Sequence, residues 1–292
     1  MTEVLGVHGV WNFRSGESPE LAAKNLAGIW QTGISRGLAR AAADPGNLST
    51  QRASGRTELP VTVAYYADLL RKPGRQSAGS SLDDLDDFEA QIARDWFEAL
   101  GLPDGVAAGR ATMPLRQAAA WLAGTRFLGK AATEWFVAGL FREVAAYLRD
   151  PAGPARIAAR ERVIEALVTS RARVVVAHSL GSVVAYEALW QRTDLEVDLL
   201  ITLGSPLALP HAVFPRLEPT PTHGSGARPP GVRRWVNLAY SGDIVAIPAG
   251  GVSRFFEGVD IDDHATIHAF DFHLVKNYLA HERVGRHLLG LR

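Results

Sequence analysis

The stretch Arg173–Leu189, RVVVAHSLGSVVAYEAL, decides the fold. Val174, Val175, Val176 and Ala177 form a short apolar run that ends abruptly in His178-Ser179-Leu180-Gly181, and a helix-like pattern begins at once. A run of this length bounded by a turn reads as a buried strand. We therefore expect a strand over 173–177 and a helix over 180–191. The same alternation recurs on either side. Val4–Val10 reads as a buried strand ending in His-Gly-Val, and Ser18-Pro19-Glu20 opens a helix that runs to about Ala43, with Ser18 as N-cap and proline in the first turn. LPVTVAYYADL (59–69), VDLLITL (197–203) and RWVNLAY (234–240) read as further strands. Ala155–Ser170 reads as a helix, Leu274–Leu291 as a closing helix, and the Pro- and Gly-rich segment 207–231 as irregular. Strands alternating with helices predict an α/β fold: a mostly parallel sheet with helices on both faces.

Residues 71–154 depart from this alternation. A polar loop, KPGRQSAGSSLDDLDD, is followed by helical patterns over Phe88–Leu100 and, as one long helix, Leu115–Leu148. No strand pattern occurs there, so this part reads as a helical insertion on the α/β core. Its apolar residues, among them Trp121, Leu122, Trp135, Phe136, Leu140 and Phe141, serve packing of the helices or line an apolar pocket. The acidic run Asp83-Asp84 and Asp86-Asp87 reads as a solvated loop and helix start rather than a metal site.

Bulk properties narrow the function classes. The chain has 292 residues, 31 basic and 31 acidic, with a formal net charge of +0 and a pI near 7.2. Such a chain has no global field to attract a phosphate backbone, which argues against nucleic acid as a partner. Cysteine is absent, so thiolate metal sites and disulfides are excluded, in keeping with a cytoplasmic protein. The opening MTEVLGVHGV lacks the pattern of a secretory signal. The richest apolar region, Ala118–Leu148, is interrupted by Arg126, Lys130, Glu134, Arg142 and Glu143, which argues against an integral membrane segment.

Ligands of a parallel sheet sit outside the carboxyl ends of its strands, and the polar residues at those ends form a set. Ser179 sits in Ala177-His178-Ser179-Leu180-Gly181, where small residues two before and two after the serine relieve crowding in a sharp strand-to-helix turn. In the motif G-x-S-x-G such a turn lifts a nucleophilic hydroxyl above the sheet; here Ala177 stands in place of the first glycine. The alternative is that Ser179 merely caps the following helix. A serine nucleophile needs a base, and the base an orienting acid. The order Ser, Asp, His is available: Asp243 follows the strand 234–240, and His273 precedes the closing helix after a segment patterned as the last strand. Asp243 could equally be a turn residue, and His264, His268 and His281 compete with His273 as base. Oxyanion donors would be the backbone N–H groups of Leu180 and of Val10 or Trp11, with Gly9 giving the loop its conformational freedom.

These segments resemble the serine α/β-hydrolase superfamily, in its lipase/esterase-like branch: VHG at 7–9, AHSLG at 177–181, TLGSPL at 202–207, SGDIVAIP at 241–248 and FHLVKNYL at 272–279. The resemblance covers roughly 1–70 and 155–292. It implies the α/β-hydrolase fold as the core, without the two leading antiparallel strands of the full fold, and residues 71–154 as a helical cap. It further implies Ser179 as nucleophile, Asp243 as acid and His273 as base, with Val10 and Leu180 as the oxyanion hole. No cofactor or metal is then required, and the substrate is a small molecule or acyl compound with an apolar part. An ester is the first expectation; an amide or thioester substrate, or a binding protein that keeps the fold without catalysis, are the alternatives.

Overall fold

The computed structural model describes residues 3–43, 59–71, 82–101, 115–126, 129–265 and 273–290. Strand β1 is Val4–Val7, β2 Val61–Ala64, β3 Val174–His178, β4 Leu199–Leu203, β6 Trp235–Tyr240 and β8 Ile261–Ala265. They form one six-stranded sheet in the order β2-β1-β3-β4-β6-β8, with every neighbouring pair parallel. The short strands β5 (Gly226–Ala227) and β7 (Phe256–Glu257) pair separately.

Because all six strands run the same way, their carboxyl ends share one edge. The chain passes from β1 outward to β2 and then returns to place β3 on the other side of β1. The crevice between β1 and β3 is therefore a topological switch point, the place where ligands of such sheets bind.

Buried residues of the strands alternate between two apolar clusters, as a sheet covered on both faces requires. Val174 and Val176 belong to one cluster with Leu26, Trp30 and Ile34 of helix α1 (Pro19–Ala42). Val175 and Ala177 belong to the other, with side chains of the helices α2 (Asp87–Ala99), α3 (Leu115–Arg126), α4 (Lys130–Leu148), α5 (Pro154–Ser170) and α6 (Leu180–Gln191). Every secondary-structure element described between β2 and α5 is a helix or 3₁₀ turn. This segment shares a continuous core with the sheet. At its base, Arg156 of α5 pairs with the buried Glu187 of α6, which also accepts the Tyr147 hydroxyl at 2.7 Å. None of the helices among the described residues is long and apolar enough to cross a membrane.

Helix α1 begins as expected: Ser18 accepts the Leu21 N–H and proline fills the first turn. Other boundaries need correction. The continuous helix over 115–148 is two helices, because Gly129 takes an extended conformation (φ −65°, ψ 135°) at the start of α4. The closing helix is likewise divided, into α8 (Val275–Leu279) and α9 (Glu282–Leu289). At the break, His281 is extended and its ring accepts the Arg283 N–H. Packing explains the bend. A Cβ on Gly285 would lie 2.1 Å from the Gly37 carbonyl oxygen, so α9 lies backbone to backbone against α1.

The strand over 59–69 is shorter, giving way to a 3₁₀ turn at Ala67–Leu70. The segment patterned as the last strand before His273 falls on residues 266–272, which lie outside the described residues. Among the described residues the last strand is Ile261–Ala265, preceded by a short helix α7 at Gly251–Phe255, and neither is foreseen by the patterning. The sequence IDDHA is acidic, and Asp262 is held by the Asn237 side chain and the Ser253 N–H, each at 2.8 Å.

Candidate active site

Ser179 joins β3 to α6 with φ 54° and ψ −131°, a conformation that non-glycine residues seldom adopt. It is held there from both sides. Its N–H donates to the Leu203 carbonyl at 2.9 Å, and its own carbonyl accepts from the Ser182 N–H and hydroxyl. Ser182 in turn is 2.7 Å from the Ser205 hydroxyl, which ties the turn to the Gly-Ser-Pro loop after β4. The two neighbouring glycines are sterically demanded. A Cβ on Gly181 would lie 2.3 Å from the His8 carbonyl oxygen, and one on Gly9 would lie 2.6 Å from the Ser179 Cβ. The loop after β1 therefore lies directly against Ser179.

The Ser179 side chain does not cap α6. Its hydroxyl is 2.8 Å from His273 Nε2, and His273 Nδ1 is 2.8 Å from Asp243 Oδ2. Residues 179, 243 and 273, far apart in the chain, thus form one hydrogen-bonded row at the carboxyl edge of the sheet. All three are buried. Asp243 is also a turn residue, since its Oδ1 accepts the Val245 N–H at 2.9 Å. Its Oδ2 takes a second donor, the Tyr278 hydroxyl, at 2.6 Å. Burial alone would raise the Asp243 carboxyl; His273, the Tyr278 hydroxyl and the Val245 N–H overcome it and hold the group below the usual carboxylate range.

The competing histidines lie elsewhere or outside the described residues. His264 accepts the Gly250 N–H at 2.8 Å and sits 3.2 Å from Asp262. His281 caps α9. His268 is outside the described residues.

Two further imidazoles pack around the row and are held neutral. Burial pushes His178 down to about 3, with the neighbouring His273 ring, centroid 4.8 Å away, acting in the same direction. Burial pushes His8 down to about 4. His8 Nε2 accepts the Tyr66 N–H at 3.1 Å, so its proton sits on Nδ1, which donates to the Gly9 carbonyl at 2.7 Å. The Tyr66 hydroxyl donates to the His8 carbonyl, and the two rings stack at 4.3 Å. This clamp fixes the end of β1.

The loop that follows is braced by the Asn12 side-chain amide, which donates to the carbonyls of Gly9 and Val10, each at 2.9 Å. Neither the Val10 nor the Leu180 N–H has a protein acceptor among the described residues. The Trp11 N–H does: it donates to the Glu143 carboxylate of α4.

Several of these residues escape sequence reasoning. Nothing in the sequence around Tyr278 or Glu143 marks either as part of a site. Gly204 was visible only as part of the Gly-Ser-Pro turn, yet it has φ +53°, and a Cβ there would lie 2.8 Å from Asp243 Oδ2. Among the described residues no cluster of three or more His, Asp or Glu has metal-ligand geometry. No protein-family model matches the chain, and neither a curated protein nor a solved structure matches it. Function must be argued from the side chains themselves.

Proposed function

We propose that the chain is a serine hydrolase of the α/β-hydrolase type, in the lipase/esterase-like branch, and that it cleaves carboxylic esters through an acyl-enzyme. The observation that carries this is the row Ser179–His273–Asp243, with 2.8 Å at each link and the hydroxyl on a strained strand-to-helix turn. A serine hydroxyl is a weak nucleophile, and the arrangement supplies what it lacks. His273 Nε2 removes the hydroxyl proton as Ser179 Oγ attacks the ester carbonyl. Asp243 keeps the His273 proton on Nδ1 and stabilises the imidazolium as it forms. The N–H groups of Val10 and Leu180 hold the developing oxyanion. His273 then gives the proton to the leaving alcohol. In the second half, water attacks the acyl-enzyme with His273 again as base, and the acid product and free Ser179 are released.

The helical segment, residues 71–154, acts as a cap over this edge. Two contacts support that role: Trp96 Nε1 donates to the Ile244 carbonyl beside Asp243 at 2.8 Å, and Glu143 reaches the loop after β1. The side chains that α4 brings, Val137, Leu140, Phe141 and Val144, share a cluster with Val10 and Leu180. Apolar side chains packed around the two oxyanion donors favour esters whose acyl part is apolar.

The test is turnover of p-nitrophenyl esters of graded acyl length beside aminoacyl anilides. Ester cleavage is expected to improve with acyl length, and Ser179→Ala should reduce it by roughly 10⁴-fold or more. Anilide turnover without ester turnover would overturn the ester assignment.

A further inference from the structure

Trp11 follows the Gly9-Val10 dipeptide and has φ 60°. A non-glycine residue in that region is strained by on the order of 1 kcal/mol or more and persists only where its surroundings hold it. What holds Trp11 comes from the helical segment. Its N–H lies 3.2 and 3.1 Å from the two carboxylate oxygens of Glu143. Its indole stacks on Trp135 with ring centroids 6.1 Å apart and packs tilted against Phe136 at 4.6 Å. Gly139 makes room for it, since a Cβ there would lie 2.6 Å from the indole nitrogen. Glu143 is placed at some cost: burial pushes its carboxyl up to about 7, opposed by the Trp11 N–H and by Arg71. The group it serves is one peptide removed from the Gly9–Val10 link that lies against Ser179.

We infer that Glu143 is a positioning residue for acyl transfer: by accepting the Trp11 N–H it fixes the Gly9–Val10 peptide over Ser179, and so joins the helical segment to the reacting site. This rests on the hydrolase assignment above. Glu143 touches neither substrate nor the Ser179 row; it acts through the backbone of residues 9–11.

The experiment compares the second-order rate at which a fluorophosphonate acylates Ser179 in the full chain, and kcat and KM for a p-nitrophenyl ester, in the wild type, Glu143→Gln, Glu143→Asp and Glu143→Ala. A small displacement of a positioned group costs up to about 100-fold. The Ala variant should therefore label and turn over roughly 10- to 100-fold more slowly, the loss falling on kcat with KM little changed. The Gln variant retains an oxygen acceptor and should stay within a few-fold of wild type. The Asp variant, whose carboxylate is withdrawn by one methylene, should fall between, and it answers the question if the Ala variant does not fold. Wild-type rates in both the Ala and Asp variants would overturn the inference. Faster labelling in either would also overturn it, because the carboxylate would then be an obstruction. A Gln variant as slow as the Ala variant would count against it in the same way. A wild-type protein that takes no label at Ser179 would instead refute the hydrolase assignment, so the two failures are distinguishable.

Discussion

At Ser179 a φ of 54° turns the hydroxyl away from the helix it precedes and toward His273. A serine that merely capped α6 would need extended backbone angles and a hydrogen bond to the helix N-terminus, and neither is present. Asp243 carries the other end of the row, and its role is open to test. Asp243→Asn preserves size but removes the charge that stabilises imidazolium and lets the His273 tautomer reverse. Turnover should drop by roughly 10²- to 10⁴-fold, with KM for a p-nitrophenyl ester nearly unchanged; a loss under threefold would mean that Asp243 serves only its turn. Ser179, Asp243 and His273 were legible in the sequence because each follows a recognisable strand or turn and their order was informative. Tyr278 was not legible. It supports Asp243 across 35 residues of chain, a contact that periodicity does not encode.

The elements were legible where local chemistry alone decides them. Helix α1 has its cap, its proline and its apolar spacing all in agreement. The strands β3, β4 and β6 are short apolar runs that can only be buried. Sequence reasoning failed at Gly129, where one extended residue divides a helical pattern, and where tertiary contacts override pattern: at the α8–α9 bend, and in β8, where Asn237 and the α7 backbone meet Asp262 and Arg283 meets Asp263. The turn between β3 and α6 is legible locally and enforced by a tertiary contact. Gly181 sits where any side chain would meet the carbonyl oxygens of Val7 and His8 at 2.4 and 2.3 Å, and backbone cannot yield as a flexible side chain does. Gly181→Ala should therefore lower the thermal midpoint substantially, with a loss on the order of 1–3 kcal/mol from overpacking. An unchanged midpoint would show that the turn is looser than described.

Over the whole molecule, parallel strands bring distant segments to the carboxyl edge, and the switch point between β1 and β3 fixes the place along it. That much follows from strand order. What no pattern announces is how many titratable groups the fold keeps neutral. Burial holds His8 and His287 at about 4 and His178 at about 3, below the ordinary imidazole value of 6.5. The unfolded chain then binds more protons than the folded one between that value and the lowered ones. Their contribution is complete above pH 6.5 and is lost as pH falls toward 4 and 3. Glu143, raised to about 7, and Asp95, also raised by burial, act in the opposite sense as pH rises. Three depressed imidazoles outweigh them. The urea midpoint should accordingly be lower at pH 5 than at pH 7; an equal or higher midpoint at pH 5 would contradict the burial of these rings.

Acyl transfer here depends on one property: the Ser179 hydroxyl is made nucleophilic by His273. Mass-spectrometric mapping of a fluorophosphonate adduct tests it most directly. We predict a single modified residue, Ser179, with labelling lost in Ser179→Ala and slowed by orders of magnitude in His273→Ala. An unlabelled native protein, or an adduct that persists in both variants, would contradict it.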